Sequence, residues 1–105
     1  MRTFEPTVYL LANRYRGALY TGMTTDPLGR FYQHRNKVVP GYTERRNIGL
    51  LVWLERHDDI EFAIRREKTV KRWPRRWKFN LIEAENPDWR DLALDFGFDP
   101  LVKKN

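Results

Sequence analysis

With 105 residues, 41% of them hydrophobic and 32% charged, the chain is a folding sequence sized for one compact domain. It has no cysteine and only two histidines, His34 and His57, which excludes disulfide scaffolds, thiol catalysis and Cys- or His-rich zinc modules. The formal charge is +6, and fourteen of the twenty cations are arginine, which points to a polyanionic partner.

The elements follow from local pattern. Thr7–Ala12 is β-branched and aromatic enough for a strand. Asn13–Gly17 is a polar turn, and Ala18–Gly22 returns as a second strand to complete a hairpin. Asp26-Pro27 starts a helix, because Asp caps free N–H groups and Pro fits the first helical position. That helix runs to about Asn36, with Gly29 weakening its first turn. A loop over Lys37–Asn47, punctuated by Pro40-Gly41, leads into a largely buried strand over Ile48–Glu55. Asp58-Asp59 opens a second helix reaching about Arg72, and Pro74 opens a third ending near Glu85. Asn86-Pro87 is expected to restart a short final helix.

The order β-β-α-β-α-α predicts an α+β fold, a three-stranded antiparallel sheet flanked by helices. Residues 1–105 are expected to form a single domain with its core over about 6–93 and a C-terminal tail over 94–105. The apolar stretches are too short for a signal-peptide core or for the ~20 residues of a bilayer span. A cytoplasmic protein without membrane association is therefore expected.

The charge is unevenly spread. Residues 1–64 carry +2 and residues 79–105 carry −3, whereas residues 65–78 alone carry +7. That segment holds Arg65, Arg66, Lys68, Lys71, Arg72, Arg75, Arg76 and Lys78 against one acid, Glu67. It reads either as a solvated helix surface or as a phosphate-binding one. Trp73 and Trp77, at i and i+4 within it, suit core packing better than a base-stacking platform.

Three constellations are candidates for chemistry. Tyr9 and Tyr20 lie on opposite arms of the hairpin, nearly opposite each other, as a packing pair or as paired phenols. Gly22 beside them leaves space where a ligand would approach the backbone. Arg30 and His34 share one helical face, a plain polar pair or a phosphate grip beside a proton carrier. Glu67 falls on the apolar stripe of Ile60, Ala63, Ile64 and Val70. A carboxylate there needs a partner, either a salt-bridging cation or a divalent metal.

Taken together these segments resemble the GIY-YIG nuclease superfamily. The two tripeptides of that family's hairpin correspond to Thr7-Val8-Tyr9 and Tyr20-Thr21-Gly22. Leu19-Tyr20-Thr21-Gly22, Asp26, Arg30 and His34 are similar to the small standalone bacterial members. So are Val39-Pro40-Gly41-Tyr42-Thr43, Leu51-Val52-Trp53, Ala63-Ile64-Arg65-Arg66-Glu67-Lys68 and Asn86-Pro87-Asp88-Trp89-Arg90-Asp91-Leu92. The likeness spans about residues 6–93 in uninterrupted order. Gly29, where relatives usually carry a second basic residue, and Arg46, where an aromatic is common, depart from the pattern.

The resemblance implies a metal-dependent DNA endonuclease that leaves 5′-phosphate and 3′-hydroxyl ends. It implies one Mg²⁺ or Mn²⁺ and structured or branched DNA as partner, with DNA repair or recombination as the setting. Tyr9 and Tyr20 match the active-site tyrosines, Arg30 the catalytic arginine, Glu67 the metal-binding glutamate and Asn86 a later active-site asparagine. His34 stands where relatives place a tyrosine or histidine. Tyr20 is the expected general base, assisted by Tyr9 or His34. Gly22, Arg65, Arg66, Lys68, Lys71, Arg72, Arg75 and Arg76 are the expected nucleic-acid contacts. The alternative is a nucleic-acid-binding module of the same fold with little turnover.

Overall fold

The computed structural model describes residues 5–36, 41, 43 and 46–101. Strand β1 (Thr7–Ala12) is buried along its whole length, as befits the middle of a sheet. It pairs antiparallel on one side with β2 (Leu19–Thr24) and on the other with β3 (Leu50–Arg56), giving the order β2-β1-β3. The fold is therefore α+β with a three-stranded antiparallel sheet, as the element order predicts.

Helix α1 (Pro27–Arg35) begins where expected, with the Asp26 carboxylate accepting from the Gly29 amide at 3.2 Å and Pro27 in the first turn. A Cβ at position 29 would sit 2.2 Å from that carboxylate, so the glycine belongs to the cap and leaves no room for a basic side chain there. Helix α2 (Ile60–Arg72) is capped by Asp59, which accepts from the Glu61 amide at 2.7 Å. Helix α3 (Arg75–Glu85) follows Pro74 directly.

The final helix falls later than the sequence predicts. Asn86 ends α3 instead of restarting a helix, because its side chain holds the chain in a turn. A short 3₁₀ turn forms only at Leu92–Phe96, where the Asp91 carboxylate caps the Ala93 amide. Phe98 packs on the core, and Arg35 bonds both the Asp91 carboxylate and the Asp99 carbonyl. The predicted loop over Lys37–Asn47 lies mostly outside the described residues.

Two apolar layers flank the sheet. On one face Val8, Leu10, Val52 and Trp53 meet Ala63 and Val70 of α2 and Ile82 of α3. On the other, Tyr9, Leu11 and Leu51 meet Phe31 of α1 and Ala93 of the 3₁₀ turn. Strict alternation would send Val52 and Trp53 to opposite faces. A bulge intervenes, with Leu10 opposite Trp53 and Leu11 opposite Leu51, so Val52 is the extra residue and both side chains reach the α2 layer. Among the described residues no helix is long and apolar enough to cross a membrane.

Candidate active site

The tyrosines meet diagonally across the hairpin. Tyr9 is paired with Gly22, and Tyr20 with Leu11, so the two stand one two-residue step from direct opposition. Side chains two apart share a face, and the rings lie with centroids 6.3 Å apart. Tyr9 is fully buried, with Phe31 edge-on at 5.4 Å, while Tyr20 is partly exposed.

Gly22 corrects the sequence reading. A Cβ there would lie 2.5 Å from Tyr9 Cζ and 2.9 Å from Tyr20 Cε2, so the glycine makes room for the tyrosine rings. The space beside its backbone is filled by protein and is not open to a ligand.

Helix α1 delivers Arg30 and His34 one turn apart to the same rings. His34 lies 5.8 Å from the Tyr9 ring and 5.4 Å from the Tyr20 ring. Its Nε2 is 3.1 Å from the Tyr9 hydroxyl and its Nδ1 is 3.3 Å from Thr43 Oγ1. With the ring protonated on Nδ1, that nitrogen donates to Thr43 and Nε2 accepts the Tyr9 O–H. Burial, helped by the Arg30 charge, pushes the His34 pKa down to about 4. The imidazole is therefore neutral at pH 7, with its one lone-pair nitrogen taken up by the Tyr9 hydroxyl.

Burial, with Tyr20 close by, holds the Tyr9 phenol well above its ordinary range. Arg30 opposes this shift and Glu67 adds to it, so both reach the Tyr9 oxygen electrostatically. Tyr9 stays protonated at neutral pH, a hydrogen-bond donor and not a base. Thr43 is the residue that spacing did not reveal as a partner of His34. It is nine positions away, and no periodicity connects the two.

Glu67 comes from α2, on the other layer, and is mostly covered, its carboxylate 3.8 Å from Lys71 Nζ. That distance is a loose i,i+4 pair which leaves the carboxylate oxygens available. Among the described residues no three metal-ligating side chains gather. The donor set is thus one carboxylate, which fits Mg²⁺ held largely by water and phosphate oxygens and does not fit an all-protein cage.

Asn86 is not brought to the tyrosines by any bond. Its amide donates to the Val52 and Arg90 carbonyls at 3.0 and 2.9 Å, and its oxygen accepts from the Arg90 amide at 3.0 Å. These bonds tie the end of α3 to β3 through Val52 and to the turn that follows through Arg90.

The basic segment divides in two. Arg66 pairs with Glu55 at 2.9 Å and lies over the Trp53 and Trp73 rings. Arg75 donates to the Arg16 and Gly17 carbonyls of the hairpin loop. These two hold protein together. Arg65, Lys68, Lys71, Arg72 and Arg76 are exposed and form the cationic surface proper.

This fold matches known proteins. The family model described as the GIY-YIG catalytic domain matches residues 5–80. The chain belongs to the GIY-YIG catalytic-domain family, a family of nuclease type. A UPF0213 protein of Staphylococcus saprophyticus is 36% identical over 66 residues, covering 63% of this chain and 80% of that protein. The solution NMR structure of a UPF0213 protein from Bacillus halodurans superposes with a TM-score of 0.54 at 30% identity. That match covers 85% of this chain and 94% of the other.

Proposed function

We propose that this chain is a metal-dependent DNA endonuclease that hydrolyses a phosphodiester to 5′-phosphate and 3′-hydroxyl ends. The observation that carries the reading is the convergence of Tyr9, Tyr20, His34, Arg30 and Glu67, from four elements, inside a nuclease-type family domain.

The roles follow from exposure and protonation. Tyr20, the more exposed phenol, faces the attacking water as the general base, and the neutral His34 ring beside it holds the tyrosine pair in place. Tyr9, held protonated, fixes the imidazole by donating to Nε2. Arg30 grips the non-bridging oxygens and offsets charge as the phosphorane develops. Glu67 holds one Mg²⁺ or Mn²⁺, which supplies Lewis-acid help to the departing 3′-oxygen. Water oxygen bonds to phosphorus as one of its protons goes to Tyr20, and the P–O3′ bond breaks with the 3′-oxygen taking a proton from a solvent water.

Labelled linear, nicked and branched DNA incubated with Mg²⁺ or Mn²⁺ tests this. Cleavage is expected to need the metal, to leave ligatable 5′-phosphate ends, and to vanish in Glu67→Ala and Arg30→Ala at unchanged melting temperature. Binding without cleavage on every substrate would replace this reading with the binding-module one.

A further inference from the structure

The pair Trp73 and Trp77 does not behave as the sequence suggests. Trp73 is partly buried against the core, but Trp77 is 48% exposed, an unusual setting for the largest apolar side chain. Their rings meet edge to face, with centroids 5.9 Å apart at 73°. With Asn80 and Leu81 they line an open cleft of about 390 Å³. The Arg66 guanidinium lies 5.3 Å from the Trp73 ring centre, which fixes that ring in advance of any ligand.

We infer that this cleft is a stacking site for an unpaired nucleobase, so that the substrate carries a single-stranded segment beside the cut. The inference rests on the nucleic-acid reading above and adds a substrate class to it. A base laid on one indole face abuts the edge of the other, and Asn80, one turn after Trp77, offers an amide donor and acceptor to its rim. Charge selects this occupant. Between residues 68 and 82 there are six cations and no acid. Arg72 and Arg76, each one residue before a tryptophan, are exposed, and neither is in an ion pair among the described residues. An apolar protein surface docking here would strip water from those cations without compensation, whereas a nucleotide brings its own phosphate. Trp73, the C-cap residue of α2, follows Glu67 by six residues, roughly 9 Å along the helix axis.

The test is fluorescence anisotropy in EDTA, so that no turnover intervenes, with a labelled 12-nucleotide oligothymidylate and a 12-base-pair duplex. Trp77→Ala is expected to weaken single-strand binding roughly tenfold and duplex binding less than about twofold, with Trp77→Phe regaining most of the loss. Unchanged single-strand affinity in Trp77→Ala, or equal loss on both DNAs, overturns the site. A dimer in sedimentation that Trp77→Ala disperses also overturns it, because a second copy would then fill the cleft. A chain that binds single strands through Trp77 yet cuts nothing refutes the endonuclease reading and leaves this one standing.

Discussion

Gly22→Ala turns the packing of the tyrosine pair into a change of sign. Alanine for glycine at an unstrained strand position ordinarily stabilises by about 0.4–1 kcal/mol, by restricting the unfolded chain. Position 22 has no left-handed backbone, so that gain would appear if the space beside it were open. It is not open. The new methyl group would lie 2.5 Å from both Cζ and the hydroxyl of Tyr9. The Tyr9 ring cannot retreat, being fully buried with Phe31 at 5.4 Å and His34 at 5.8 Å between centroids. Overpacking of this kind costs about 1–3 kcal/mol. For a domain of this size each kcal/mol is about 4–8 °C in melting temperature, so a fall of at least ~4 °C is expected. Circular dichroism melting of wild type, Gly22→Ala, Tyr9→Leu and the double variant measures it. Tyr9→Leu removes the two nearest obstructing atoms and leaves Tyr20 Cε2 at 2.9 Å, so most of the Gly22→Ala loss should disappear in that background, a coupling of about 1–3 kcal/mol. A higher melting temperature in Gly22→Ala alone would refute the close approach and restore the reading of position 22 as ligand space.

Three other perturbations probe different layers. Arg35 and Asp91 form a 2.8 Å ion pair with side chains only 6% and 9% exposed, so Arg35→Ala should lose about 3–5 kcal/mol in urea unfolding. Replacing both by apolar residues should not recover it, because Asp91 also accepts from the Leu51 and Ala93 amides. His34 titrates near 4 in the folded chain against 6.5 ordinarily, so between those values the unfolded state binds more protons. Its contribution to stability is therefore complete above about pH 6.5 and is lost as pH falls toward 4, and His34→Gln should flatten that part of the stability–pH curve. Arg66→Ala should lower the melting temperature, since it breaks the Glu55 pair and uncovers two indoles. Arg72→Ala should instead leave stability unchanged and reduce the salt slope of DNA binding by about one.

What was legible in the sequence depended on range. The caps Asp26 and Asp59, the central strand Thr7–Ala12 and the α1 pair Arg30 and His34 are set by neighbours within one helical turn or one strand, and they stand where the pattern places them. Register was less legible. Tyr9 opposite Gly22 depends on how the hairpin loop closes, and the Val52 bulge depends on packing Trp53 against α2 and α3, neither of which leaves a periodic trace. The charged segment shows the same limit most clearly. Its eight cations look equivalent in a sequence, yet Arg66 is held by Glu55, eleven residues earlier on β3, and Arg75 by the hairpin loop, some sixty residues earlier. Contacts at that separation are decided by topology, because only the finished sheet brings β3 and the hairpin loop alongside α2 and α3. The same topology leaves Trp77 outside the core that its i,i+4 spacing from Trp73 seemed to promise. Helical spacing fixes which residues share a face only within one helix; here α2 ends at Arg72 and α3 begins at Arg75, and across the break at Pro74 Trp73 packs on the core while Trp77 stands exposed.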